Sequence, residues 1–301
     1  MSALKLALLG TELSHSLSKP LHEELFPILH KKFGAGVSSC TYELIEIADE
    51  LEFGEWIRSA NANGFTGANV TYPYKSQAFD LSDSKSITAT AITSANTLRF
   101  SPNGIESAST DGLGLLLSIR RKYPTFDMGR YHVVLIGAGA AARAAIYSLC
   151  TMWMPLSLTI VNRTVGTAEE LAEFCISQAP GPTVRVMSTD AFMHLPPEER
   201  HRLIIQCTPM GQTNNPGNLL EGFSWHETDF AIDLIYNPKK TEFLTAASHG
   251  GAKTSNGIGM LIEQAALSQI FWLNGIVPDS SPLSQTEFDS LEYHLTQFLT
   301  L

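Results

Sequence analysis

The sequence predicts an α/β protein of two domains. Its 301 residues exceed what one hydrophobic core usually serves, and with 44% hydrophobic residues the chain can fill two cores. Strand-like and helix-like segments alternate in the first part of the chain and again from Tyr131 onward. A glycine-rich turn between a strand and a helix opens the second series, which is therefore expected to form a doubly wound parallel sheet.

The first series predicts three strands and two helices. The strands are expected at 4–10, 40–47 and 64–75, and the helices at 19–34 and 48–61. Pro20 lies in the first turn of the first helix and Gly34 at its end, as capping preferences predict. The third strand, "GFTGANVTYPYK", is expected to end at Lys75.

The second series begins with "HVVLIGAGAAARAAIYSLC" (132–150), which reads as a strand, a glycine turn and a helix. Further strands are expected at 158–164, 184–188, 202–209 and 229–238, and helices at 168–175 and 241–250. Two amphipathic helices, over 257–275 and 281–299, are expected to return to the first domain. The uncharged stretch 144–161 has the length of a membrane span, but Pro155 and its Ser and Thr residues favour a helix, a turn and a buried strand.

Composition excludes several classes of partner. The formal charge of −10, with no cluster of Lys and Arg, argues against nucleic acid and anionic membranes. Cys40, Cys150, Cys175 and Cys207 are scattered, so neither a metal site nor a disulfide framework is expected, but rather buried free thiols in the cytoplasm. The N-terminal stretch "MSALKLALLG" is too short and too lightly charged for a secretory signal, so no export is expected.

The glycine turn matches the dinucleotide-binding fingerprint, with Gly137, Gly139 and Ala142 at the three small-residue positions. A tight turn in an unrelated α/β fold is the alternative, and the end of the next strand distinguishes the two. An acidic residue there would bind a ribose 2′-hydroxyl, but this chain has Asn162 followed by Arg163. A neutral residue beside a guanidinium suits a 2′-phosphate, so NADP is predicted in preference to NAD, unless Arg163 is a solvated surface charge.

Candidate substrate ligands come from short polar motifs. Ser16 and Ser18 precede a helix whose free N–H groups favour an anion, although Ser18 is equally suited to be the helix N-cap. Asn96 and Asp111 lie in stretches typical of turns. Together with Lys75, a lysine and a carboxylate at neighbouring strand ends make a proton-handling pair.

The motifs "HSLS", "GANVTYPYK", "ANTL", "TDGLG", "GAG", "NRT", "DLIYNP" and "GIGMLIEQA" occur in the order seen in the shikimate dehydrogenase family. The chain resembles that family over nearly its whole length. The resemblance implies reversible NADP-linked reduction of 3-dehydroshikimate to shikimate, in a cleft between two domains. These would be a substrate-binding catalytic domain of residues 1–111 with 258–301, and a Rossmann-like NADP-binding domain of residues 112–257.

The same resemblance implies the site residues, motif by motif. The catalytic pair would be Lys75 and Asp111. Substrate would be bound by Ser16, Ser18, Thr71, Asn96, Tyr236 and Gln264, with the two serines on its carboxylate. The cofactor would be bound by Gly137, Ala138, Gly139, Ala140, Ala141, Asn162, Arg163, Thr164, Thr208, Gly259 and Met260. No metal is implied. The family usually has a second basic residue after "NRT", where this chain has Gly166 and Thr167, so use of NAD stays open.

The sequence therefore predicts a cytoplasmic, NADP-dependent member of this family, monomeric or homodimeric, acting on a small molecule. Serine at both 16 and 18 favours shikimate, since quinate-preferring relatives often have threonine at the second position. The alternatives are an enzyme that uses quinate or NAD, a non-catalytic dinucleotide-binding sensor on the same fold, and a Rossmann methyltransferase. The Lys75, Asn96 and Asp111 set argues against a sensor, and the lack of an acid at 162 argues against a methyltransferase.

Overall fold

The computed structural model describes residues 2–34, 36–178, 181–194 and 201–299. The chain forms two compact units. The first comprises Met1–Leu117 and Leu261–Leu295, and the second comprises Ser118–Met260 and Thr296–Leu301. The two helices predicted for the end of the chain thus contribute most of their residues to the first unit.

The first unit is built on a six-stranded mixed sheet. Its strands are β1 Ser2–Gly10, β2 Val37–Glu46, β3 Gly67–Val70, β4 Ser84–Lys85, β5 Thr97–Ser101 and β6 Gly104–Ala108. In space they run β2–β1–β3–β5–β6–β4; β1 is parallel to β2 and β3, and β5 is antiparallel to β3 and β6. The helices up to the boundary are α1 Ser18–Phe33, α2 Glu50–Ser59, α3 Lys75–Asp80, α4 Ile87–Ile92 and α5 Asp111–Lys122.

Strand β1 is buried on both faces, as expected for an apolar run with parallel strands on either side. Successive side chains point to opposite faces of the sheet. Leu9 accordingly packs in a cluster with Phe53 of α2, whereas Leu8 packs on the other side in a cluster with Trp272. The unit therefore has hydrophobic layers on both faces of one sheet.

The third predicted strand is wrong in its length. β3 ends at Val70, residues 71–74 form a turn in which the Tyr74 N–H donates to the Thr71 carbonyl (3.1 Å), and Lys75 begins α3. Pro73 has no N–H with which to continue a strand ladder. Lys75 and Asp111 were expected at strand ends, but both are the first residues of helices.

The segment after α3 holds elements that the sequence did not predict: β4, α4, the β5–β6 hairpin, and α5, which begins where "TDGLG" was expected to form a turn. In the hairpin Thr97 pairs with Ala108 and Ser101 with Gly104. These strands are short and mix polar with apolar residues, so their periodicity is weak.

The second unit contains a six-stranded sheet that is entirely parallel, confirming the doubly wound prediction. Its strands are β7 His132–Ile136, β8 Ser157–Val161, β9 Thr183–Met187, β10 Arg202–Gln206, β11 Phe230–Asp233 and β12 Lys253–Ser255. Their order is β12–β11–β10–β7–β8–β9, so the direction of winding switches between β7 and β10. The helices are α6 Ala140–Ser148, α7 Val165–Gln178, α8 Thr189–Met193 and α9 Glu242–His249. Two more helices follow, α10 Ile258–Asn274 and α11 Gln285–Thr296.

The uncharged stretch 144–161 folds as predicted. It forms the end of α6, a π-helix at Leu149–Trp153, a short connection and β8. Within the described ranges no helix is long and apolar enough to cross a membrane.

All four cysteines are free thiols. Cys150 and Cys175 are buried with their sulfur atoms 3.0 Å apart, whereas Cys40 and Cys207 are only partly buried. The expectation of buried thiols thus holds for two of the four. Among the described residues no three His, Cys, Asp or Glu side chains are placed to hold a metal ion.

Candidate active site

Most of the predicted substrate residues lie on segments that join the first unit's sheet at the same edge. The carboxyl ends of the parallel neighbours β1 and β3 meet there. Because β5 and β6 alternate in direction, β5 begins at this edge and β6 ends at it. The segments that lead from this edge carry Ser16, Thr71, Lys75, Asn96 and Asp111.

Lys75 and Asp111 form an ion pair. The Lys75 ammonium donates to Asp111 Oδ2 at 2.7 Å, and the two side chains are 21% and 12% exposed. The Asp111 carboxylate lies in the first turn of α5, where the helix dipole favours a negative charge. A partly desolvated, charge-assisted pair of this kind can hold a proton donor against a substrate oxygen.

Asn96 fixes the other carboxylate oxygen. Its side-chain oxygen accepts the Thr110 main-chain N–H (2.8 Å), and a main-chain N–H can only donate, so the orientation of the amide is set. The Asn96 Nδ2 group therefore faces Asp111 Oδ1 (2.8 Å) and Thr110 Oγ1 (2.9 Å). Each oxygen of Asp111 thus receives one hydrogen bond, from Asn96 or from Lys75.

Gln264 joins this cluster from helix α10. Its side-chain oxygen accepts from Asn96 Nδ2 at 3.3 Å, and its own Nε2 donates to the Leu261 carbonyl at 2.9 Å. The close approach of α10 to α5 requires glycine at 114, because a Cβ atom there would lie 2.8 Å from both the Cβ and the main-chain N of Gln264. The second glycine of "TDGLG" is thereby explained.

Ser16 and Ser18 lie at the start of α1. The Ser16 hydroxyl donates to Ser18 Oγ (3.1 Å) and accepts the Ser18 main-chain N–H (3.2 Å). Ser18 is not the N-cap: it is the first helical residue, and Leu17 precedes it at the N-cap position. The interpretation of Ser18 as an N-cap is therefore wrong, whereas its role toward an anion stays a prediction.

Thr71 is held at the same edge through its main chain, since its N–H donates to the Leu9 carbonyl at 2.9 Å. The Thr71 side chain is partly exposed. Of the predicted substrate residues, Lys75, Asn96, Asp111 and Gln264 are joined by hydrogen bonds, and Ser16 and Ser18 form a separate pair. Tyr236 belongs to the second unit, where it follows β11.

Sequence reasoning missed a buried polar layer in the first unit. Its members are fully or nearly fully buried and hydrogen-bonded to one another: Tyr42, Asn69, Thr97, Thr110 and Ser268. The motif "GANV" indicates such a layer, since Asn69 is a polar residue in an otherwise apolar strand. A polar side chain in a buried strand needs hydrogen-bond partners.

In the second unit the glycine turn lies where the winding switches. Gly137 follows β7 with φ of +106°, a conformation that favours glycine, and a Cβ atom there would lie 2.8 Å from the side chain of Thr208. Thr208 follows β10, so the predicted cofactor residues after both strands come together. Doubly wound sheets bind ligands at such a switch point.

The N-terminus of α6 is open beside this turn. Gly139 is its N-cap with no side-chain cap, and Gly139 and Ala140 are exposed, with Ala138 and Ala141 partly exposed. The unpaired N–H groups of a helix start, together with its dipole, suit a phosphate group. The site thus fits the pyrophosphate of a dinucleotide.

Asn162 and Arg163 follow β8. The Asn162 main-chain N–H donates to the Met187 carbonyl (3.1 Å), and its side-chain amide donates to the Thr164 carbonyl (2.9 Å), which makes a compact turn. Arg163 and Thr164 are exposed, and Arg163 forms no ion pair with the described residues. Its guanidinium is therefore available to a 2′-phosphate.

Two buried polar residues hold the loops at the switch point through hydrogen bonds. Gln206 accepts the Thr208 N–H (2.5 Å) and donates to the Met210 carbonyl (2.8 Å). Asp233 accepts the Thr241 hydroxyl (2.6 Å) and the Ile235 N–H (3.0 Å), and burial raises its pKa to about 6. No local sequence pattern predicts the role of either residue.

Gly259 and Met260 occupy the first turn of α10. The chain before this helix is tied to the end of β11, because the Gly257 N–H donates to the Ile235 carbonyl at 3.0 Å. The motifs "DLIYNP" and "GIGM" are therefore neighbours within the second unit.

The second unit has the topology and glycine turn of a dinucleotide-binding domain, and the first carries a lysine–carboxylate pair suited to proton transfer. These features define the class of dinucleotide-dependent oxidoreductases. A family model described as the shikimate dehydrogenase substrate binding domain matches residues 8–98.

Full-length relatives are also similar. A shikimate dehydrogenase (NADP(+)) of Methanopyrus kandleri is 34% identical over 274 residues, covering 90% of each chain. One from Aromatoleum aromaticum is 34% identical over 282 residues, covering 93% of this chain and 95% of the relative. A crystal structure of a shikimate dehydrogenase in complex with NADP+ superposes with a TM-score of 0.83 at 26% identity, covering 99% of this chain and 96% of that one. The chain belongs to the shikimate dehydrogenase family.

Proposed function

We propose that this protein catalyses the reversible, NADPH-dependent reduction of 3-dehydroshikimate to shikimate. The observation that carries the proposal is the Lys75–Asp111 pair, with Asn96 on the second carboxylate oxygen. The pair occurs in a chain whose full-length relatives are named shikimate dehydrogenase (NADP(+)).

Lys75 and Asp111 are the proposed catalytic residues. Reduction of a ketone adds a hydride to carbon and a proton to oxygen, and bound NADPH would supply the hydride. Lys75 would donate a hydrogen bond to the oxygen as negative charge develops on it, and the pair would deliver the proton. The 2.7 Å bond to Asp111 would orient the Lys75 ammonium. It uses one N–H group of the ammonium and would leave the others to donate to the substrate.

The remaining substrate contacts are proposed from position and chemistry. Ser16 and Ser18 would bind the substrate carboxylate, because each hydroxyl can turn from its present partner to donate to an anion. Thr71, Asn96 and Gln264 would bind the ring hydroxyls, and Tyr236 is a further proposed substrate ligand.

The cofactor residues are those of the switch point and its surroundings. The open start of α6, from Gly139 through Ala141, would bind the pyrophosphate. Arg163, exposed beside Asn162, would bind the 2′-phosphate of NADP. Ala138, Thr164 and Thr208 would border the adenosine half, and Gly259 and Met260 the nicotinamide.

The domain boundaries, location and assembly belong to the same proposal. Residues 1–111 with 258–301 would form the substrate-binding catalytic domain, and residues 112–257 the NADP-binding domain. The enzyme would be cytoplasmic and monomeric or homodimeric.

The test is a matrix of two substrates and two cofactors followed at the nicotinamide absorbance band. Shikimate with NADP is expected to give the highest kcat/KM. Quinate or NAD outperforming them would identify a different member of the family. If no combination changes the absorbance while calorimetry still shows dinucleotide binding, the protein is a sensor and not an enzyme.

A further inference from the structure

The hydroxyl of Tyr42 belongs to the buried polar layer that leads to the proposed catalytic pair. Tyr42 is on β2, 2% exposed, with its ring stacked on His22 at 4.4 Å between ring centroids and an interplanar angle of 11°. Its hydroxyl donates to Asn69 Oδ1 at 2.9 Å. Phenylalanine would supply the same ring, so a buried tyrosine is expected to be needed for the hydrogen bonds of its hydroxyl.

The direction of this hydrogen bond follows from the partners of Asn69. Its Nδ2 group donates to the main-chain carbonyl of Asn96 at 3.1 Å, and a carbonyl can only accept. The side-chain oxygen of Asn69 must therefore face Tyr42, and Tyr42 must be the donor. The same Nδ2 group also lies 3.2 Å from Thr97 Oγ1 and 3.2 Å from Ser268 Oγ.

From Asn69 the network continues to the catalytic pair. Ser268 donates its hydroxyl hydrogen to the Gln264 carbonyl (2.9 Å), so it accepts from Thr97 (2.8 Å) and from Thr110 (3.2 Å). Thr110 Oγ1 in turn accepts from Asn96 Nδ2, the group that also bonds Asp111. The position of Asn96 is therefore fixed by its main chain and its side chain together.

The Tyr42 hydroxyl is kept as the donor in this network. Burial raises the pKa of Tyr42 well above its ordinary value. The phenol thus stays protonated and remains a donor to Asn69.

We infer that Tyr42 is a positioning residue that holds Asn69, and through it Asn96, in place beside Asp111. This inference rests on the proposed function, since it assigns turnover to the Lys75–Asp111 pair. Tyr42 does not touch this pair; it acts on turnover through Asn69 and Asn96.

The test replaces Tyr42 with phenylalanine, which keeps the ring stacked on His22 and removes only the hydroxyl. The matched control is Tyr123→Phe, because the Tyr123 hydroxyl also donates one hydrogen bond, to the Thr254 carbonyl at 3.0 Å, within the second unit. Both variants are expected to lower the melting temperature by about 2–4 °C, the loss of one hydrogen bond in a domain of this size. Only Tyr42→Phe should lower kcat/KM for shikimate, by roughly tenfold and mainly through kcat, with the KM for NADP unchanged.

A double variant with the proposed catalytic lysine distinguishes a positioning role from a general loss of stability. In a Lys75→Met background, Tyr42→Phe should lower kcat by less than about twofold, because groups that act through one another are not additive. Equal losses in both backgrounds would assign Tyr42 to stability alone. Ser268→Ala breaks the network at its other end and should reproduce the pattern of Tyr42→Phe, so it decides the matter where Tyr42→Phe fails to fold.

Two failures are distinguishable. Absence of wild-type turnover with shikimate overturns the proposed function and this inference with it. Normal wild-type turnover, with Tyr42→Phe and Ser268→Ala indistinguishable from Tyr123→Phe, overturns the inference and leaves the proposed function standing.

Discussion

Replacing Lys75 with methionine removes the ammonium and keeps most of the side-chain volume. The structure gives the size of the effect on folding. One charge-assisted hydrogen bond of 2.7 Å is lost, between side chains that are 21% and 12% exposed, and Asp111 keeps its bond from Asn96. Such a bond contributes about 1.5–3 kcal/mol, so the variant should fold with a lowered melting temperature.

The effect on catalysis should be larger than the effect on folding. A positioned proton donor contributes roughly a hundredfold to ten-thousandfold in rate, which corresponds to about 3–5 kcal/mol of transition-state stabilisation. Because this interaction strengthens as charge develops on the substrate oxygen, the loss should appear in kcat, with NADPH affinity nearly unchanged. Asp111→Asn should lose a similar factor, and the double variant much less than the product.

The assay follows NADPH absorbance with 3-dehydroshikimate, beside NADPH binding by fluorescence and a thermal melt. Lys85→Met is the matched control: Lys85 is another partly buried lysine of the first unit, which donates to the Ser82 carbonyl and lies over the Phe79 ring. It should retain wild-type kcat. Near-normal kcat in Lys75→Met would refute the reasoning and make Lys75 a structural lysine.

Three further predictions concern other parts of the chain. Arg163→Ala should weaken NADP binding by about tenfold or more and barely change NAD binding, because one charge-assisted contact to the 2′-phosphate is lost. Calorimetry measures both affinities, and equal losses for the two cofactors would contradict this prediction. Ser18→Ala should raise the KM for shikimate by about tenfold with little change in melting temperature, since Ser18 is not the helix cap; a large melting shift with normal KM would reverse the assignment. Burial raises the pKa of Asp233 from 3.8 to about 6, so its stabilising contribution is complete below pH 3.8 and is lost as the pH rises through 6. The stability of wild type relative to Asp233→Asn should therefore fall by roughly 3 kcal/mol between these pH values in denaturant titrations, and a constant difference would rule this out.

Local patterns encoded much of the architecture. The apolar run of β1, the strand–turn–helix around Gly137 and the amphipathic helices α10 and α11 were predictable because each is specified by residues close together in the chain. Weakly periodic segments were not: no clear period predicts the β5–β6 hairpin, and the strand predicted to reach Lys75 ends at Val70.

The chemistry was predictable from motifs, but the arrangement of the site was not. The sequence by itself determined which residue types were available, namely a lysine, an aspartate, an asparagine and two serines, and a helix start open to phosphate. Only the tertiary structure decided that Asn96 meets Gln264, 168 residues away, and that Tyr42 meets Asn69 across the sheet. Such contacts depend on strand order, register and helix approach, as at Gly114, and these are set by packing between distant segments rather than by any local period.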